Sequence, residues 1–210
     1  MFEPPPGYDD MLSDAEGRTP TSDFVAWHVP QVGWISARRP RPDAVPLLAM
    51  ASNSTLDTAG RVDYMMQFVH NHVSEADVER LLFDMMMGDL PANTVDRVVR
   101  SLTTWGTARP YVAVVSLAVM AAHHWRTIRH KLLMAGVADP MGLDSMHRIL
   151  DAAESFAVES AAAGDDPRRD VEGLYRRLYG PSPDELDPVP SGFKPEEVEA
   201  SFDAFARAAG

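Results

Sequence analysis

Apolar positions recur along the middle of the chain at helical spacing. Val62, Met65, Met66, Val69 and Val73 follow i, i+3, i+4, i+7, i+11, and Val78, Leu81, Leu82, Met85 and Met86 follow i, i+3, i+4, i+7, i+8. Each set lines one side of a 3.6-residue period, so the pair predicts two amphipathic helices or one bent helix, with Ser74 as N-cap of the second. Val95, Val98, Val99 and Leu102 predict the next helix, capped by Asn93 or Thr94. Pro110 opens a long central helix running from Tyr111 to about Ala135, apolar nearly all round in its first half, as in a helix packed on several sides. Met146, Ile149, Leu150, Ala153 and Ala157 mark another helix, with Asp144 as its cap, and Val171, Leu174, Tyr175 and Leu178 mark a short one ending at Gly180. Pro195-Glu-Glu-Val-Glu begins a last helix whose narrow apolar stripe is Val198, Phe202, Phe205 and Ala209. Only Trp27 to Ile35 has strand character, and Pro30 and Gly33 weaken it.

Proline and glycine divide these segments. Eight of the 17 prolines lie in residues 1–46 and five in residues 180–195, leaving Pro91, Pro110, Pro140 and Pro167 between them. Each of those four follows a glycine by a few residues, the usual punctuation at helix ends, so the middle is free to be helical and the flanks are not. The predicted class is all-α. Residues 1–41 are expected to form an extended acidic, Pro-rich arm, residues 42–164 a helical core domain, and residues 165–210 an acidic C-terminal tail with two short helices. Residues 1–22 in particular are expected to be largely extended or mobile, because such a composition buries too little apolar surface to offset the entropy of ordering.

Composition changes this picture in one respect. The 210 residues carry 31 Asp+Glu against 19 Lys+Arg, a net charge of −12. The charge is uneven: residues 1–23 hold −5, residues 24–150 hold +1, and residues 151–210 hold −8. Acid of this kind repels phosphate, which argues against broad binding to nucleic acid or an anionic membrane. The apolar run from Tyr111 to Ala122 is short of the roughly 20 residues a spanning helix needs. With no cysteine, thiolate zinc sites and a cysteine nucleophile are excluded, and the N-terminus lacks the basic and apolar regions of a signal peptide.

Candidate chemistry is sparse. His70 and His72 fall at the end of an amphipathic stretch and read as structural or solvated. His123 and His130 share a helix face two turns apart, about 10.5 Å, too far to hold one metal. A histidine-dependent metalloenzyme using His123, His130 and His147 is therefore the weakest reading, and no phosphate loop, nucleophile elbow or kinase signature is present. No cofactor or metal is called for, and nothing supports enzymatic activity. Two basic spots stand out: Arg38-Arg39-Pro40-Arg41, and Arg126, Arg129 and Lys131 with His130. The second offers a seat for an acidic segment, this protein's own tail included. Five of the 12 methionines lie between Met65 and Met87, and the run Met85-Met86-Met87 cannot all face one side of a helix, so at least one reaches solvent or a partner.

The layout resembles the tail assembly chaperones of long-tailed, siphovirus-type actinobacterial bacteriophages, most closely over residues 40–163. The likeness lies in the Arg39-Pro40-Arg41-Pro42 lead-in, the following Asp43-Ala-Val-Pro-Leu-Leu-Ala-Met-Ala-Ser, the central Trp125-Arg126-Thr-Ile-Arg129 segment and the Leu143-Asp-Ser-Met-His-Arg-Ile-Leu-Asp-Ala-Ala-Glu segment. Proline-rich acidic residues and the Pro-Glu-Glu-Val-Glu end complete it. The resemblance implies a non-enzymatic helical protein of the host cytoplasm, absent from the mature virion. Such proteins bind the tape measure protein, keep it soluble and help tail-tube subunits polymerise around it. In the family a programmed frameshift yields a longer form, so the resemblance implies that this chain is the shorter product or a variant that does not shift. The implied partner is the tape measure protein, with the tail-tube subunit and a longer frameshifted form of the chain as further candidates; a homo-oligomer is left open.

Apolar character picks out Met85, Met86, Met87, Phe202 and Phe205 as candidate protein-binding residues. A generic helical scaffold or interaction protein of bacterial origin is the alternative reading of the same pattern.

Overall fold

The computed structural model describes residues 4–17 and 23–180. Within them nine α-helices and one β-hairpin share a single hydrophobic core. The helices are α1 (Tyr8–Ala15), α2 (Ala44–Ala51), α3 (Thr58–His72), α4 (Glu75–Met87), α5 (Thr94–Thr103), α6 (Tyr111–His123), α7 (Trp125–Met134), α8 (Met146–Ala162) and α9 (Pro167–Tyr179). The hairpin, β1 (Val25–Val29) and β2 (Gly33–Ala37), precedes α2. The helix predicted from Pro195 lies outside the described residues.

The centre of the molecule is α2. All eight of its residues are buried, and it packs mainly against α3 and α6. Pro46 is accommodated in its first turn, where a backbone N–H has no helical partner to lose. Around this element α6 contributes Ala113, Val114, Leu117, Ala118, Ala121 and Ala122, and α8 contributes Met146, Ile149, Leu150, Ala153 and Ala157. Leu174 and Leu178 of α9 close the far side.

The break between α3 and α4 is sharp. Val73 is extended, its side chain is buried, and its backbone bridges to Ala37 of β2. Ser74 then caps α4 as expected, its Oγ accepting from the Asp77 N–H. At the other end Gly88 adopts φ 83°, the left-handed conformation that closes a helix without a Cβ penalty.

Four expectations are corrected. The central helix is not continuous: it breaks at His124 (φ −115°, ψ 24°) into α6 and α7. No proline or glycine marks that break. Packing produces it, turning Trp125 and Ile128 into the core while the His124 ring lies 4.9 Å from Phe156 of α8. The N-cap of α8 is Ser145, whose Oγ accepts from the His147 N–H, rather than Asp144.

The N-terminal arm is not extended throughout. Residues Tyr8–Ala15 form α1, with Tyr8 and Met11 buried. Gly7 admits this docking, because a Cβ there would lie 2.4 Å from the Ala122 carbonyl oxygen. Finally, Pro30 and Gly33 do not weaken the strands but build the turn between them. Pro30 and Gln31 (φ 64°) form a β-turn closed by the Val32 N–H on the Val29 carbonyl, and Gly33 (φ 103°) opens β2.

Candidate protein-binding surface

Helix α4 is held from one side only. Val78 and Leu81 face inward, and with Met66 and Val69 of α3 and Val95 and Val98 of α5 they line an apolar seam. The N-terminal turn is fixed by polar contacts. Ser74 N–H donates to the Ser36 carbonyl, Ser36 N–H donates to Asp77, and Arg80 donates to both Asp77 and the Trp34 carbonyl. Burial works against ionisation of Asp77, yet the donors from Ser36, Arg80 and Ser74 together hold its carboxyl below the usual range.

The opposite face of α4 carries large apolar side chains in solvent. Phe83 is 56%, Met86 79% and Met87 63% exposed, and Leu82 is at the margin with 38%. Phe83, Met86 and Met87 stand at i, i+3 and i+4, so they form one stripe. Met85 points nearer the core and is half-buried. Of the three methionines selected from sequence, two are therefore on the open face. Phe83 was missed, although its position one turn before Met86 and Met87 is readable from the same periodicity. Phe202 and Phe205 lie outside the described residues.

The basic residues of α7 are engaged by acids of other elements. Arg126 Nε lies 2.6 Å from Asp10 of α1, and Arg129 Nε lies 3.3 Å from Asp14. Trp125 Nε1 donates to Asp14 at 2.7 Å, and Lys131 pairs with Glu159 of α8. The Asp10 carboxyl is held below its usual range by its hydrogen bond from Arg126. So the seat expected for an acidic segment is filled, among the described residues, by the N-terminal helix and α8. The expectation for the C-terminal tail falls outside the described residues. At the other basic spot, Arg38 donates to the Asn71 carbonyl at 2.5 Å and lies over the Phe24 ring.

The histidines do not converge. His123 and His130 are exposed on α6 and α7, His147 is buried near Arg39 and Arg109, and among the described residues no three His, Asp or Glu are placed to hold a metal. His72 is buried with Nδ1 2.6 Å from the Phe68 carbonyl, and desolvation lowers its pKa to about 4. Among the described residues no helix is long and apolar enough to cross a membrane.

A family model described as phage tail assembly chaperone protein matches residues 1–110, just over half of the chain. The chain belongs to the phage tail assembly chaperone family. A second model, a family of unknown function (DUF7240), matches residues 120–210. No curated protein and no solved structure matches the chain. The tail assembly chaperone match covers α1 to α5 and the hairpin, and therefore the whole of α4 with its exposed stripe. The second match begins within α6, whose buried face packs on both α2 and α8. The segments matched by the two models thus meet inside one hydrophobic core. A tail assembly chaperone role implies interaction with tail proteins, and α4 presents the exposed apolar stripe described above.

Proposed function

We propose that this tail assembly chaperone binds the tape measure protein through the outer face of α4, keeps it soluble and promotes assembly of tail-tube subunits around it. The observation that carries this reading is the stripe of Phe83, Met86 and Met87, exposed on an otherwise acidic chain. A long helical client needs an apolar surface to cover it, and methionine adapts to irregular apolar partners. A net charge of −12 keeps such a complex soluble. The chain acts without catalysis in the host cytoplasm, is absent from the finished particle, and is the shorter product of a frameshifted gene whose longer form joins the same complex.

Co-expression tests the client. With the tape measure protein expressed alone and with this chain, the soluble fraction rises and the two co-purify. Unchanged insolubility and no co-purification sink the solubilising role. For the frameshift, a slippery heptamer within the last few dozen codons and an open −1 frame are expected, and their absence removes the longer form.

A further inference from the structure

Among the described residues one edge of the hairpin is closed and the other is open. In the ladder Ala26 stands opposite Ser36 and His28 opposite Trp34. The Ser36 N–H donates to Asp77 and its carbonyl accepts from Ser74, while the Trp34 carbonyl accepts from Arg80. Ser36 and Trp34 therefore turn their main-chain groups away from β1. In an antiparallel pair, opposite residues share that choice. Ala26 and His28 must then turn their N–H and C=O groups outward, away from β2.

Nothing among the described residues meets those groups. Both residues are solvent-exposed, and so are Phe24 (43%) and Val25 (49%) beside them. The side chain of Trp27 is occupied elsewhere, stacked 4.0 Å from Trp105 and donating to Ser101 of α5, which holds the strand rigidly in place. Natural edge strands are guarded by charge, proline or a bulge. From Phe24 to Val29 there is no Asp, Glu, Lys, Arg or Pro.

We propose that β1 pairs antiparallel with β1 of a second copy of this chain, joining the two hairpins into a four-stranded sheet. A second copy fits better than another partner for two reasons. First, the edge is self-complementary. With Trp27 opposite Trp27 on the twofold axis, Ala26 faces His28 of the second copy and His28 faces Ala26, so all outward N–H and C=O groups of the two strands pair at once. Second, chains of net charge −12 repel each other over most of their surface, and this edge brings no acid to the contact. The edge is distant in sequence from the α4 stripe, so dimerisation does not depend on the client reading.

The test is the mass of the full-length protein by sedimentation across a wide concentration range, combined with amide exchange. The mass is expected to rise from one chain towards two with concentration, and the amides of Ala26 and His28 to become protected over the same range. Ala26→Pro removes a donor that the hairpin does not use, so it is expected to abolish the dimer while leaving the circular dichroism spectrum unchanged. Replacing both Ala26 and His28 with Glu keeps every backbone donor and is expected to abolish the dimer by setting a Glu opposite a Glu in both cross-strand pairs. A single-chain mass at all concentrations overturns the proposal. So does a dimer that survives the double Glu replacement, one lost on substitution of Met86 and Met87 instead, or Ala26 and His28 amides already protected in the dilute monomer.

Discussion

Two residues show how much single positions matter and how little of it is visible in their letters. Gly7 looks like part of a Pro-Pro-Pro-Gly spacer, yet it lets the chain pass against α6. Gly7→Ala places a methyl group 2.4 Å from the Ala122 oxygen and is expected to cost about 1–3 kcal/mol, the usual range for overpacking, measured by urea denaturation. His72 sits in a pattern that also reads as solvated surface, and only the tertiary fold buries it, beside Phe68, Asp43 and Arg38. In the unfolded chain it takes up a proton near pH 6.5, but in the folded one not until about 4, because burial outweighs the favourable Phe68 carbonyl and Asp43, and Arg38 opposes protonation too. The unfolded state therefore binds more protons between those values, and stability falls as pH drops through that window, by up to about 3 kcal/mol. Wild-type protein is expected to lose stability from pH 6.5 to 4 more steeply than His72→Gln. Equal slopes by denaturant titration would remove the assigned cause.

At the scale of elements, periodicity located the longer helices with a one-sided apolar face. It placed α3, α4, α5, α8 and α9, and the cap at Ser74, because those features are local. It misjudged α1 and the split between α6 and α7, which depend on partners distant in sequence. The eight residues of α1 hold only Tyr8 and Met11 inward and rely on Asp10 and Asp14 finding Arg126, Arg129 and Trp125. Those same basic residues were recognisable as a seat for acid, but their occupant was not, since −5 at one end and −8 at the other are electrostatically alike. Asp14→Ala removes the acceptor of the buried Trp125 indole. A hydrogen bond to a charged acceptor is worth about 1.5–3 kcal/mol, so the amides of α1 should exchange about tenfold faster or more, with little change in α8. Salt, by contrast, weakens the exposed Asp10–Arg126 pair more than the Trp125–Asp14 bond.

Across the whole molecule, the all-α class and a core built on the middle of the chain were legible, and the hairpin was half so. Its breakers, Pro30 and Gly33, were read as faults in a strand when they are the turn of a hairpin. The central role of α2 was not legible, because a helix buried on all sides has no amphipathic period to detect. That helix also makes the two family segments inseparable. A fragment ending at residue 110 lacks α6 and α8 and leaves one side of α2 and its neighbours bare. It is expected to be insoluble or to lack the cooperative thermal transition of the full chain, as followed by circular dichroism.

The proposed function lies on the face of α4 that folding leaves unused. Phe83, Met86 and Met87 contribute little to the core, so replacing all three with serine is expected to change stability by no more than about 0.5 kcal/mol per site while reducing client capture. The most direct observation is of the methionine methyl groups themselves. In spectra of ¹³C-methyl-methionine protein, free and co-purified with the tape measure protein, the Met86 and Met87 signals should shift or broaden on binding while those of buried Met11 and Met146 stay in place. Unchanged Met86 and Met87 signals in a complex that is nevertheless formed would contradict the assignment of α4 as the client-binding surface.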